Sequence, residues 1–326
     1  MHKGFSLIEL LSSLAIGLIC ILVVVEVFVD YKKTHSIENA VAEIQENGRF
    51  AAHILYNSVE QAGFIGCAKL TEIFPVDDDG VMPINKLTFA DSFLASQGEN
   101  NQWYPVLPEI FKLKPKANTD VIIVHNMDVI SANLLNPLMN DDEFFVSLEP
   151  KFKKGNDVII SDCKHAVLLH LQSVYRSVAK KYQRIIVADK INQSFVVGAA
   201  EVGRIKTRAF FIGQTSRKNR AGKKIYALYQ VGETGRKAEL IPNVVDMKVL
   251  CYELSKSGVV LEKMPKQIID WSKITAIKVH LLLASQDEIL EMPKAYKFKQ
   301  QKHIPSDRRL YKELQLIISL HERVAL

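Results

Sequence analysis

Residues 5–29 form an almost unbroken apolar run whose only charges are Glu9 and Glu26. Its 25 residues, taken as a helix, cover roughly 37 Å, enough to cross a bilayer with some tilt. His2 and Lys3 precede it. A positive N-terminal flank puts the short N-terminus in the cytoplasm and the rest of the chain across the membrane. Lys32 and Lys33 at the far end are basic too and pull against that assignment. A cleaved signal peptide has a shorter apolar core followed by a small-residue cleavage site. Here the run continues into more helical sequence, with no proline before Pro75 to break it. Whatever folds next is tethered to one long helix.

Beyond Val29 the sequence becomes amphipathic. Ile37, Val41, Ile44, Gly48, Ala51, Leu55, Val59 and Ala62 recur at spacings of three and four, which places them on one helical face. Glu38, Glu43, Glu46, Arg49 and Gln61 lie on the other. The stripe is short and rich in small residues, so it suits docking on a head better than a coiled coil. Gly63 and Gly66 are expected to end the helix, since glycine readily takes the left-handed cap conformation.

Glu9 sits inside the apolar run. By position alone it is either a marker of the membrane edge, snorkelling to the headgroups, or a residue kept there for a task. The hexapeptide Gly4-Phe5-Ser6-Leu7-Ile8-Glu9 resembles the start of type IV prepilins and type II secretion pseudopilins. That resemblance implies cleavage after Gly4 by a prepilin peptidase and methylation of the new N-terminal Phe5. It also implies that Glu9 offsets a neighbouring subunit's N-terminal amine during filament assembly. Further stretches narrow the likeness. Residues 45–51 (QENGRFA), 61–67 (QAGFIGC), 155–163 (GNDVIISDC), 240–247 (LIPNVVDM), 307–311 (DRRLY) and 316–323 (LIISLHER) resemble elements of the PilW branch of minor pilins. The lysine-rich sequence after Pro293 departs from that pattern.

The remainder reads as a β-rich head. Short β-type runs at 121–125, 144–148, 158–161, 166–171, 185–188, 195–201, 209–213 and 225–231 are separated by Gly, Asn, Asp, Pro and Lys clusters. Later runs lie at 246–253, 274–284 and 315–321. Strand follows strand without long helices between, which favours antiparallel pairing. Residues 68–119 hold five of the eleven prolines and no clear period, so they are expected to be irregular. The chain is 24% charged and 48% hydrophobic, which excludes a disordered or collagen-like protein. Cys20 lies in the apolar run. Cys67, Cys163 and Cys251 are left for the head, an odd count that permits one pair. The family resemblance implies that the pair is Cys67 with Cys163.

No catalytic constellation stands out. GxSxG, P-loop and GxGxxG patterns are absent, as is metal-ligand spacing. His170 and His280 fall within strand-like runs, where an ordinary structural histidine is the simpler interpretation. Asp77-Asp78-Asp79-Gly80 hints at a calcium loop, but the twelfth position is Thr88 rather than glutamate, so a solvated turn fits better. Residues 202–232 contain no acidic residue. Within them Arg217, Lys218, Arg220, Lys223 and Lys224, with Tyr226 and Tyr229 nearby, are either candidate contacts for DNA or another polyanion, or a solvated hairpin loop.

The expected fold is α+β: a long N-terminal helix packed on a mainly antiparallel β-sheet head. The expected divisions are a leader at 1–4, a transmembrane half at 5–29, an amphipathic half at 30–66 and a head at 67–326. The resemblance implies a structural minor pilin, not an enzyme, without cofactor or metal. Its expected partners are other minor pilins, the major pilin, prepilin peptidase, the inner membrane before assembly and a tip adhesin. Pilus initiation, twitching motility, adhesion and DNA uptake would follow. The alternatives are a type II secretion pseudopilin and a membrane-anchored polyanion-binding protein.

Overall fold

The computed structural model describes residues 7–67, 73–74, 93–107, 113–138, 142–188, 190–191, 193–232, 235–255 and 257–320. A single helix, α1 (Leu7–Glu60), runs for 54 residues. Its first half is exposed along its length, and its best 18-residue window has a mean hydropathy of 2.7. Its second half buries Ala40, Ile44, Gly48, Ala51, Leu55, Ser58 and Val59. Ile37 and Val41 are only half-buried. The head therefore begins at Ala40, later along the stripe than the spacing predicts. Beyond Glu60 the chain turns at Gly63 and Gly66, with φ of 86° and 90°. The Gly63 N–H donates to the His125 carbonyl at 2.9 Å, so the end of the helix is stitched to a strand.

The head contains short strands β1 (Ile73–Phe74), β2 (Phe93–Glu99), β3 (Gln102–Tyr104), β4 (Val121–Met127) and β5 (Ala132–Asn133). Next come β6 (Glu143–Ser147), β7 (Asp157–Ser161), β8 (Ala166–Ser177), β9 (Tyr182–Val187) and β10 (Glu201–Lys218). The chain continues through β11 (Lys224–Gly232), β12 (Lys237–Pro242), β13 (Val244–Leu254), β14 (Val260–Lys263) and β15 (Ile274–Ala284). It closes with β16 (Tyr296–Phe298), β17 (Gln301–His303) and β18 (Tyr311–Ser319). All described pairings are antiparallel except β1 with β8. The architecture is α+β.

Strand β10 is the spine. Its first residues pair with β7 on one edge and β5 on the other. Its later residues pair with β4 and β11. One strand thus joins two hydrophobic cores. The first gathers Leu55 and Val59 of α1 with β4, the second half of β10, β11 and the four-stranded sheet β14-β13-β15-β18. The second lies among β5 to β9 around Phe144, Ile160, Leu171 and Ile185. Close approach fixes Gly98 on β2: a Cβ there would come within 2.1 Å of the Thr119 carbonyl oxygen. The Gly98 N–H instead donates to Asp120, which also accepts from Val249 on β13 at 2.8 Å.

Two strand expectations need correction. Residues 195–200 form a turn, closed by the Ala200 N–H donating to the Val196 carbonyl at 2.8 Å, and the strand starts at Glu201. The run at 209–213 is part of the same 18-residue strand. Arg204, Lys206 and Arg208 resemble loop residues in the sequence. They remain in the strand because polar partners meet them: Asp128 takes Arg204 at 3.4 Å and Lys206 at 2.8 Å, and Arg208 donates to Asn126 at 3.1 Å.

Candidate anchoring and assembly site

Glu9 lies in the first turn of α1, where the positive end of the helix dipole favours a carboxylate. Ser12 and Ser13 turn their hydroxyls back to the carbonyls of Glu9 and Leu10, at 3.0 and 2.9 Å. Such back-bonding lets hydroxyls sit on an apolar helix without unsatisfied donors. Gly4 and Phe5 lie outside the described residues. The exposed apolar surface of residues 7–29 needs cover that water cannot give, either lipid or the helices of neighbouring subunits.

Cys67, just past the helix, is bonded to Cys163 across 96 residues. Closing a loop of that length contributes about 4–5 kcal/mol in the chain-entropy model. The turn that carries Cys163 is held by Asp162. Burial alone would raise its carboxyl, but N–H groups of Lys164, His165 and Val196 turn onto it and hold it below the ordinary range. Cys251 is buried in β13, and burial pushes its thiol well up. It acts there as a small apolar residue.

The basic hairpin between β10 and β11 is less free than its sequence implies. Arg217 pairs with Glu239. Arg220 meets Asp287 at 3.2 Å, and Lys223 meets Glu288 at 2.9 Å. Lys218 and Lys224 face each other across the strands. Three of the five candidate polyanion contacts are therefore committed to carboxylates of the same chain. His170 pairs with Asp157 at 2.7 Å and His280 with Glu313 at 2.6 Å, as ordinary strand residues. Asp77–Gly80 and Thr88 lie outside the described residues.

The acidic partners of the hairpin were not legible as a group. Asp287 and Glu288 follow β15, and Asp307 precedes β18. Asp307 accepts from Arg309 Nε at 2.8 Å and from the Tyr311 hydroxyl at 3.0 Å. The DRRLY stretch is thus a folded knot at the start of β18. The acids Asp287, Glu288 and Glu291 and the Asp307-Arg308-Arg309 run were the available signal, but only the fold shows that Asp287, Glu288 and Asp307 meet residues 217–224.

Residues 1–25 match the family described as the prokaryotic N-terminal methylation motif. The match takes in the first part of α1 and supports a type IV pilin-like or pseudopilin-like chain. Searches among curated proteins and solved structures give no match.

Proposed function

We propose that the chain is a PilW-like minor pilin of a type IV pilus. It is a structural subunit, processed by prepilin peptidase at Gly4-Phe5, that joins other minor pilins and the major pilin to start a filament. Before assembly it rests in the inner membrane with its head in the periplasm. One observation carries the proposal: the methylation motif at residues 1–25 runs into a helix whose second half packs on an antiparallel head. The segments that resemble the PilW branch sit where the head depends on them. Residues 61–67 end the helix and supply Cys67, 155–163 supply β7 and Cys163, and 307–311 form the knot before β18.

Assembly exchanges lipid for other helices around residues 7–29, one apolar surrounding for another. In the filament the Glu9 carboxylate lies beside the N-terminal amine of an adjacent processed subunit and offsets its charge in an apolar surrounding. A pseudopilin of type II secretion has the same N-terminal motif and is the second reading.

The test is Glu9→Ala in the native host, with sheared filaments probed for this subunit. Removing one partner of a buried pair costs several kcal/mol, so incorporation is expected to fall at least about tenfold. The variant should still be processed and membrane-inserted. Incorporation equal to wild type would remove the role assigned to Glu9.

A further inference from the structure

The end of the head nearest the membrane carries the chain's basic excess. Two contacts set that end. Gly48 of α1 lies against Leu314 and Leu283, near the start of β18 and the end of β15. Glu291 reaches Lys33 at 2.8 Å, four residues past the last apolar residue, Val29. Four helical residues rise about 6 Å, the depth of the headgroup layer beside the hydrocarbon. The segment that carries Glu291 is therefore level with lipid headgroups. The tip of the β10–β11 hairpin is tied to the same level through Arg220 with Asp287 and Lys223 with Glu288.

Residues 217–224 hold five basic side chains and no acidic one. Residues 285–309 hold six basic and four acidic, in a chain whose net charge is only +6. The four acidic side chains are already engaged: Asp287 by Arg220, Glu288 by Lys223 and Arg308, Glu291 by Lys33, and Asp307 by Arg309. Lys294, Lys297 and Lys302 are exposed, and among the described residues none pairs with a carboxylate. Met292 and Ile304 flank them, 71% and 77% exposed. The β16–β17 hairpin that presents two of these lysines is rigidly seated. Phe298 is buried against Val245, Leu282 and Ala284, and Tyr296 stacks on Tyr311 at 4.7 Å.

We propose that this rim docks on an anionic phospholipid surface. Lys294, Lys297 and Lys302 meet the headgroup phosphates, and Met292 and Ile304 enter the boundary layer. The docking holds the head down on the bilayer until the subunit is withdrawn into a filament. It rests on the membrane-spanning reading of residues 7–29, not on the identity of the filament. Nucleic acid is the weaker candidate for the same charges, because the rim faces the bilayer and the hairpin arginines are committed to carboxylates.

The test places the full-length chain in nanodiscs of phosphatidylcholine, with and without phosphatidylglycerol. Lysine acetylation is followed residue by residue by mass spectrometry. Acetylation of Lys294, Lys297 and Lys302 is expected to slow roughly fivefold with phosphatidylglycerol, and to recover in high salt. Lys151 and Lys153, beside the second core, should not change. Equal rates in both lipids would overturn the proposal. Protection by duplex DNA in the neutral discs, without protection by phosphatidylglycerol, would overturn it and assign the rim to nucleic acid. Failure to enter either nanodisc would strike the membrane-spanning reading first, and the rim with it.

Discussion

Asp246 on β13 shows how individual side chains set the tolerance of this head to pH. Burial pushes its carboxyl up to about 6, against the pull of Lys248 and Lys116. Its Oδ1 is shielded from solvent and has no hydrogen-bond partner among the described residues. The folded state therefore prefers the protonated acid. That preference contributes fully below the unfolded carboxyl value of 3.8 and is lost as pH rises through about 6. Above pH 6 the charged form burdens the fold. Asp246→Asn is thus expected to stabilise the head by about 2 kcal/mol at pH 7.5. The gain should shrink toward zero near pH 4. Denaturant titrations of both chains across that range check it, and a variant less stable at pH 7.5 would contradict the account. His125 works in the opposite direction. Burial lowers its imidazole to about 4, so its neutral form supports the fold above the usual histidine range and that support is lost on acidification.

Among the elements, α1 was the most legible, because a 3.6-residue period survives any detail of the head. Its docking face exposes one place where sequence and packing disagree. Gly48 sits mid-helix against Leu314, beside a recess of about 220 Å³ lined by Ile44, Leu283 and Leu314. A Cβ at residue 48 would lie 3.5 Å from Leu314, an ordinary contact. Gly48→Ala should therefore stabilise the chain by about 0.5–1 kcal/mol through helix propensity alone. A rise of a few degrees in Tm in detergent is the expected reading, and a fall would show that the close approach needs glycine. The strand at 274–284 was also legible, since it is rich in apolar and β-branched residues, and β13 and β18 flank it on both edges. Strand β10 was not, because Arg204, Lys206 and Arg208 belong to a strand only once Asp128 and Asn126 are in place. The turn at 195–200 failed for the converse reason. Its residues look strand-like, yet Asp162, distant in sequence, captures the Val196 N–H.

At the scale of the molecule, one helix and one strand organise everything else. Helix α1 carries the apolar N-terminal segment and lays Ile44, Ala51, Leu55 and Val59 onto the first core, and β10 carries that core into the second. The N-terminal methylation motif and the apolar helix behind it were readable from sequence because both are local patterns. The rim at 217–224 and 285–309 was not, because its ion pairs join segments about 70 residues apart, as Arg220 does with Asp287. Processing at Gly4-Phe5 is the premise on which the proposed filament assembly depends. It is tested most directly by treating the full-length membrane-bound chain with prepilin peptidase and its methyl donor, then sequencing the product. The account predicts a chain that begins at N-methylated Phe5 and remains in the membrane. An intact Met1, or cleavage beyond the apolar run, would contradict it.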